Sequence, residues 1–335
     1  MKTAQIPGTD LSPSVLALGT VPVGSTLGQT ESFALLDRYL EGGGTFIDTA
    51  RVYSDWLPGE RSSSEKMIGR WLATRKNRES FILATKGGHP PLDDMHHSRL
   101  SRTEIRHDLE SSLHDLGAGH IDLYWLHRDD PAHPVEDVID TLDDLANAGH
   151  IRHYGASNWS AERVVAANAY AEQSGKRPFV ANQMMWSLAA PNPAGMLDDT
   201  LVEMDTSTLA LHARTGLSAV PYTSQAHGFF SGRYERGASL PDSPAARSVQ
   251  RLFYNDANFA RLERVREVSV RLGWSPTVVV LAYLRAQPFP VFPIIGPRTL
   301  DQLEDSLPAG DLTLDAEGAE WLECGASEAT LGSMT

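Results

Sequence analysis

The chain has 335 residues, of which 41% are hydrophobic and 21% charged, a composition typical of globular proteins rather than disordered ones. Its 43 acidic residues outnumber its 29 basic residues, and the net charge of −14 disfavours nucleic acid and anionic membranes as partners. The longest apolar run, at 278–284, is too short to span a bilayer, and the first residues lack an apolar signal-peptide core. With Cys324 as the single cysteine, the sequence predicts a cytoplasmic protein without intrachain disulfides.

Short apolar segments alternate with longer segments of helical periodicity through the chain. The apolar segments predict β-strands at 14–19, 45–47, 81–85, 121–126, 153–156, 179–182, 217–221 and 291–294. Helical spacing and end signals predict helices at 32–40, 64–71, 101–116, 135–148, 161–173, 201–213, 259–272, 276–285, 300–307 and 316–324. Glycines mark several helix ends, as at 42–44 and at Gly149.

This alternation predicts a parallel sheet covered by helices, because parallel strands need a crossover helix between them. About eight strand–helix units in roughly 300 residues favour an α/β protein with a single (β/α)8 TIM barrel domain over 1–335. An open doubly wound sheet is the alternative, but no G-x-G-x-x-G fingerprint follows a predicted strand. The stretch 226–258, rich in glycine and proline, is predicted as a long loop and a candidate lid, and residues after 310 form a C-terminal tail.

Polar side chains follow several predicted strands at the same end. Asp48 and Tyr53 follow the second strand, Lys86 the third and His127 the fourth. Active sites of such barrels lie at the carboxyl ends of the strands, so we expect these four groups to converge. An ammonium beside a tyrosine lowers the phenol pKa, a carboxylate holds that ammonium, and a histidine can hydrogen bond to a substrate oxygen. The set suits protonation of a carbonyl oxygen while hydride arrives at its carbon.

Several sequence segments, spread over nearly the whole chain, resemble the motifs of one protein family. They are Phe-Ile-Asp-Thr-Ala at 46–50 with Tyr53, Ala-Thr-Lys at 84–86, Asp-Leu-Tyr-Trp-Leu-His at 122–127, Gly-Ala-Ser-Asn at 155–158, Asn-Gln at 182–183, and Pro-Ile-Ile-Gly-Pro-Arg at 293–298. Together they resemble the motifs of the aldo-keto reductases, most of all the bacterial sugar- and aldehyde-active members. The resemblance implies a TIM barrel that reduces a carbonyl compound with NADPH, or with NADH as the alternative. It also implies the catalytic tetrad Asp48, Tyr53, Lys86 and His127, with Tyr53 as the proton donor.

The same resemblance implies a cofactor site along the later strands. Its predicted members are Ser157, Asn158, Gln183, Trp186, Tyr222, Ser224, Gln225, Gly296, Arg298 and Gln302. Trp186 stands where the family usually has a tyrosine that stacks on the nicotinamide, and a tryptophan offers a larger flat face. The segment 221–226 departs from the usual Ser-Pro-Leu pattern, and Ser306 replaces an asparagine that commonly reaches the adenine. Arg298 is placed to pair with a 2′-phosphate, which predicts a preference for NADPH.

The substrate is less determined than the reaction. The predicted pocket residues are Trp56, Arg128, Asp129 and His227, which follow strands at the mouth. A tryptophan ring beside the polar side chains of Arg128 and Asp129 favours a sugar or polyol-like carbonyl compound as substrate. The equally open alternative is that Arg128 and Asp129 form an ion pair at the rim. The expected partner is thus a small-molecule carbonyl or alcohol, with no nucleic acid and no membrane. The oligomeric state is left open, with a monomer as one option.

Three other classes of protein share single features with this sequence. A short-chain dehydrogenase needs Tyr-x-x-x-Lys, which is absent, and a metal-dependent hydrolase usually shows His-x-His, which is absent too. The loop with His89, Asp93, Asp94, His96 and His97 is interpreted as a solvated loop near the mouth, and no metal is predicted. A non-catalytic, cofactor-binding regulatory barrel subunit remains the alternative function, against which the complete tetrad argues.

Overall fold

The computed structural model describes residues 1–238, 240 and 242–325. Its strands are β1 Ala17–Gly19, β2 Phe46–Asp48, β3 Ile82–Gly87, β4 Ile121–Leu126, β5 Ile151–Ser157, β6 Ala181–Gln183, β7 Ser218–Ala219 and β8 Ile294–Ile295. They form one parallel sheet in the order β7-β6-β5-β4-β3-β2-β1-β8. The edges meet where Ala219 N–H donates to Pro290 and Phe292 N–H donates to Ala219, at 2.9 and 2.8 Å. The predicted (β/α)8 barrel is therefore confirmed.

Helices cover the outside of this barrel. They are α1 Gln29–Glu41, α2 Ser63–Arg75, α3 Arg102–Leu116, α4 Val135–Asn147, α5 Ala161–Gln173, α6 Thr206–Thr215, α7 Pro244–Phe253, α8 Asp256–Leu272, α9 Pro276–Arg285, α10 Leu300–Ser306 and α11 Ala316–Cys324. Side-chain caps begin many of them, as in α3, where Ser101 and Glu104 form a reciprocal capping box. In the part of the chain that the structure describes, none of the helices combines the length and the apolar character that crossing a membrane requires.

The interior of the barrel is packed with side chains, so only its ends are available for chemistry. Phe46, Leu123, Trp125 and Phe292 are fully buried in this inner cluster, and Ile6 from the N-terminal turn closes it from below. Tight packing also explains a glycine in β5. A Cβ on Gly155 would lie 2.5 Å from the Trp125 ring, closer than real contacts allow.

The stretch 226–258 is only partly irregular, which corrects the expectation of a long loop. Helix α7 occupies ten residues of it, and α8 begins at Asp256. Ser243 caps α7 by accepting from Ala246 N–H, and Pro244 sits in the first turn, where proline needs no hydrogen bond. Proline in this stretch favoured the prediction of a loop, whereas Pro244 is the first residue of helix α7. Pro241 and the tail beyond Gly325 lie outside the described residues.

Candidate active site

We call the carboxyl ends of the strands and the loops after them the mouth. The barrel brings the four predicted catalytic residues together there. Lys86 Nζ donates to the Tyr53 hydroxyl at 2.8 Å, to the Thr49 carbonyl at 2.9 Å and to the Asp48 carboxylate. The rings of Tyr53 and His127 lie 6.0 Å apart between centroids, edge to face. The arrangement follows from strand order, because β2, β3 and β4 are neighbours in the sheet and Asp48, Lys86 and His127 lie at or next to their carboxyl ends.

Burial and charge set the protonation states of the pair. Burial opposes the charge of Lys86, but Asp48 and Tyr53 outweigh it and raise the Lys86 pKa. Burial raises the pKa of Tyr53, and the Lys86 ammonium lowers it by less than burial raises it. Lys86 therefore acts in the expected direction, but the net shift of the Tyr53 pKa is upward. At neutral pH the site holds a protonated phenol beside an ammonium.

His127 is neutral, and its surroundings indicate which ring nitrogen carries the proton. Burial lowers its pKa well below the usual range, and His89, Arg128 and Lys86 lower it further. Its Nδ1 atom is buried without a hydrogen-bond partner among the described residues. In the Nδ1–H tautomer a buried N–H donor would lack an acceptor, which costs free energy. In the Nε2–H tautomer the buried Nδ1 is an unpaired acceptor, which costs less, and Nε2 can donate its proton to a ligand. The Nε2–H tautomer is therefore favoured, and it can donate to a substrate oxygen.

Asn158, predicted to bind the cofactor, is already saturated with hydrogen bonds. Its amide nitrogen donates to the His127 carbonyl and to the Ser157 hydroxyl oxygen, both at 3.1 Å. Its amide oxygen accepts from the Tyr222 hydroxyl at 2.6 Å and from Val202 N–H at 3.1 Å. In this structure Asn158 thus joins the loops after β4, β5 and β7, and Tyr222 serves the same junction.

Its neighbours keep groups available for a carboxamide. Gln183 donates to Asp48 at 3.1 Å, and its amide oxygen has no partner in the described part of the chain. Ser157 accepts from Asn158, which leaves its hydroxyl proton free to donate. Trp186 is half-buried and packs against Phe289 with ring centroids 6.1 Å apart and nearly parallel planes. Gln183 and Ser157 thus offer one acceptor and one donor, which are the groups that a nicotinamide carboxamide requires, whereas one face of Trp186 is covered by Phe289.

The loops after β7 and β8 are tied together beside this position. Ser224 donates to the Ile294 carbonyl at 2.5 Å, and Gln225 donates to the Ser306 hydroxyl at 3.1 Å. Ser306 in turn donates to the Gln302 carbonyl at 2.9 Å. Ser306, which stands where the family commonly has an asparagine, thus orients Gln225 from α10.

Arg298 lies exposed at the edge of the same region. Its backbone N–H donates to the Gln302 side chain at 2.8 Å, while its guanidinium has no partner within the described ranges. Glu304, an acidic residue of the neighbouring helix α10, pairs with Arg38 at 2.9 Å and not with Arg298. Gly296 is exposed, and a Cβ there would meet no atom within 4 Å, so packing does not require a glycine. The segment 296–298 is therefore open to a phosphate.

The charged residues predicted for the substrate pocket are paired within the protein. Arg128 is buried and donates to Thr200 at 2.9 Å and to Asp198 at 3.2 Å. Both carboxylate oxygens of Asp129 accept from Arg163, at 2.9 and 3.0 Å. Each of the two residues is thus held in an ion pair of its own, Arg128 with Asp198 and Asp129 with Arg163, rather than in a pair with the other.

Trp56 and His227 have open surface. Trp56 is 51% exposed, and its ring meets Tyr53 edge to face at 6.5 Å. His227 is exposed, with its ring 6.1 Å from that of Phe253. Other large apolar side chains are exposed in loops of the mouth, and the sequence analysis did not identify them as a group. With Trp56 they form what we call the apolar rim: Val21, Trp56, Leu57, Leu92 and Leu197.

His89 was also missed as a site residue. It was assigned to a solvated loop, but its ring lies edge to face on His127, 4.7 Å between centroids. It also lines a cavity of about 560 Å³ together with Val52, Asp55 and Gly87, and none of the four predicted catalytic residues is part of that lining. The available signal was its position two residues after the end of β3. Across the described residues, no group of three His, Cys, Asp or Glu is placed to hold a metal ion.

Comparisons with known proteins place the chain in one family. The model of the aldo/keto reductase family matches residues 15–323. The uncharacterized oxidoreductase YrpG of Bacillus subtilis is 31% identical over 315 residues, covering 92% of this chain and 91% of that protein. An aryl-alcohol dehydrogenase [NADP(+)] of Phanerodontia chrysosporium is 28% identical over 340 residues, covering 94% and 83%. Norsolorinic acid reductase B of Aspergillus parasiticus is 28% identical over 333 residues, covering 95% and 82%.

Proposed function

The chain belongs to the aldo/keto reductase family and is an NAD(P)H-dependent oxidoreductase, and from this premise we propose that it reduces an aldehyde or ketone with a proton from Tyr53. The observation that carries the proposal is the contact of Lys86 Nζ with both Asp48 and Tyr53 at the mouth. A protonated phenol held by a buried ammonium can release its proton and remain stabilised as the phenolate.

The chain's own residues divide the work of the reaction. The nicotinamide cofactor, when bound, supplies the hydride that reaches the carbonyl carbon. We assign Ser157 and Gln183 to its carboxamide and Trp186 to its ring face. His127 Nε2–H donates to the carbonyl oxygen as negative charge develops there, and Tyr53 transfers its proton to that oxygen. The Lys86 ammonium, 2.8 Å away, then stabilises the phenolate that remains.

NADPH is the proposed cofactor, with NADH as the weaker alternative. The support is the guanidinium of Arg298, exposed and without a partner in the described part of the chain. A guanidinium binds a phosphate through two parallel hydrogen bonds, a geometry that a 2′-hydroxyl cannot match. Glu304 does not neutralise Arg298, because it pairs with Arg38.

For the substrate we propose an aromatic aldehyde or ketone rather than the sugar that the sequence favoured. The sugar hypothesis depended on the polar side chains of Arg128 and Asp129, and both form ion pairs within the protein. The apolar rim around the mouth offers surface to an aromatic ring instead. The names of two relatives, an aryl-alcohol dehydrogenase and norsolorinic acid reductase B, agree with this choice.

The test is a panel of carbonyl compounds followed by the absorbance of the reduced nicotinamide. Benzaldehyde, substituted benzaldehydes, aryl ketones, keto-sugars and sugar aldehydes are each offered with NADPH and with NADH. We expect oxidation of NADPH with the aryl compounds at higher kcat/KM than with the sugars. Turnover confined to the sugars would overturn the substrate proposal. Tight NADPH binding without turnover of any compound would favour the regulatory alternative over reduction.

A further inference from the structure

His89 stands at the mouth beside the residue that faces the substrate oxygen. Its ring meets that of His127 edge to face, at 4.7 Å and 72°. The 560 Å³ cavity on which His89 also borders is lined by neither Tyr53 nor His127, so the ring contact alone relates His89 to the substrate oxygen. A ligand that receives a hydrogen bond from His127 therefore has His89 within reach of its neighbouring atoms.

The hydrogen bonds of His89 determine which of its nitrogens is free. Nδ1 lies 2.6 Å from the Pro90 carbonyl oxygen, which can only accept, so Nδ1 carries the proton. Burial, together with Arg128 and Arg99, lowers the His89 pKa to about 4, although Asp198 and the Pro90 carbonyl oppose this. The ring is therefore neutral at physiological pH, and Nε2 carries a lone pair. Nε2 has no hydrogen-bond partner among the residues that the structure describes.

The mouth thus presents a donor on His127 and, beside it, an acceptor on His89. A carbonyl oxygen matches the donor, and a hydroxyl on the adjacent carbon matches the acceptor. We propose that His89 is a specificity-determining residue that selects α-hydroxy carbonyl substrates by accepting a hydrogen bond from their hydroxyl group. This inference rests on the proposed carbonyl reduction and narrows its substrate class.

The expected preference is modest, because one neutral hydrogen bond is exchanged for one with water. Such a bond changes kcat/KM by about 3- to 10-fold when it is lost. A matched pair of ketones isolates it: α-hydroxyacetophenone carries a hydroxyl where propiophenone carries a methyl group. The ratio of their kcat/KM values, compared between variants, cancels the intrinsic difference in reactivity between the two ketones.

The experiment measures this ratio in the wild type, in His89→Phe and in His89→Leu, which both remove the acceptor and differ in size. His97→Phe is the matched control, because His97 is exposed in the same loop. We expect the ratio to fall about 3- to 10-fold in either His89 variant, as one hydrogen bond predicts, and to stay at the wild-type value in His97→Phe.

Two results contradict different claims. A His89 variant that reduces propiophenone with an unchanged ratio overturns the role of His89 and leaves the proposed function standing. A wild type that reduces neither ketone and no aldehyde overturns the proposed function, and the specificity proposal falls with it.

Discussion

The two ends of the barrel each bury a carboxylate beside a cation, but they differ in the groups that surround this pair. We call the amino ends of the strands the base. There Asp122 accepts from Arg78 at 2.7 Å, from Leu83 N–H at 2.9 Å and from Arg152 at 2.7 Å. Arg152 also pairs with Asp10 in the N-terminal turn. Every oxygen of Asp122 is thus engaged, and the network joins β3, β4, β5 and that turn.

At the mouth the corresponding pair is Asp48 and Lys86, and its surroundings are incomplete. Tyr53 retains a proton that it can give away, and the Gln183 amide oxygen and one His127 nitrogen have no partner among the described residues. The comparison teaches that a buried ion pair is not by itself a sign of catalysis. A carboxylate whose oxygens are all hydrogen bonded leaves buried cations unpaired when it is removed, whereas a proton donor and free acceptors beside an ion pair can take part in a reaction.

The largest expected effect is at the mouth. Replacing Tyr53 with Phe removes the transferable proton and keeps the aromatic ring, so kcat for reduction should fall at least about 100-fold. Tyr170→Phe, on the outer surface of α5, is the control and should keep its kcat. Steady-state kinetics with NADPH measures both. A Tyr53→Phe enzyme with near-normal kcat would refute the assignment of the proton donor.

At the base the effect should fall on stability instead. Asp122→Ala leaves Arg78 and Arg152 without their shared partner, and losing one member of a buried pair costs about 3 kcal/mol in free energy of unfolding. Asp144→Ala, which breaks the exposed pair with Arg102, should cost less than about 1 kcal/mol. Urea unfolding checks both values. If Asp122→Ala lowered kcat/KM of the folded enzyme without destabilising it, the two ends would not differ as argued.

The same carboxylate predicts the acid dependence of stability. Although burial raises the Asp122 pKa, Arg78 and Arg152 outweigh it and lower that pKa. A carboxyl with a lower pKa in the folded state stabilises the fold above its unfolded-state pKa and loses that contribution as pH falls through the folded-state value. In Asp122→Asn, the free energy of unfolding should lack this part of its decrease at acid pH. Unfolding curves measured between neutral pH and pH 3 would show the difference. An acid limb identical to wild type would contradict the prediction.

Arg298 differs from Arg78 and Arg152 at the base, because it has no ion-pair partner in the described ranges. Arg298→Ala should weaken NADPH binding about 10- to 100-fold and leave NADH binding unchanged, since the lost bonds are to the 2′-phosphate. Quenching of tryptophan fluorescence on titration measures both affinities. Equal weakening of the two cofactors, or equally tight binding of both by the wild type, would remove the phosphate-contact role.

Lys86 should control the pH dependence of alcohol oxidation through its effect on the pKa of Tyr53. Lys86→Met removes the ammonium that stabilises the Tyr53 phenolate, so the pKa of Tyr53 should rise further. Oxidation of the alcohol needs the phenolate as base, so its pH profile should shift to higher pH. Benzyl alcohol oxidation by NADP⁺, measured across pH in both enzymes, tests this. Superimposable profiles would show that Lys86 does not control the tyrosine.

Much of the fold and the candidate tetrad could be predicted from local patterns. The approximate positions of the strands, the helix ends and the strand–helix alternation are encoded within a few residues of one another, so the barrel could be predicted from them. Asp48, Lys86 and His127 lie at or just beyond strand ends, and barrel geometry brings such positions to one level. Helix α7 was missed because proline reads as a breaker until its cap at Ser243 is recognised.

What sequence alone determined was therefore which residues reach the mouth; the tertiary structure decided which of them are free to act. Arg128 is paired with Asp198, Asn158 is saturated by Tyr222, and His89 lies against His127, all through contacts between distant segments. The net upward shift of the Tyr53 pKa is equally a tertiary property. The physical reason is that desolvation and hydrogen-bond pairing depend on what surrounds an atom in space, and spacing along the chain does not specify it.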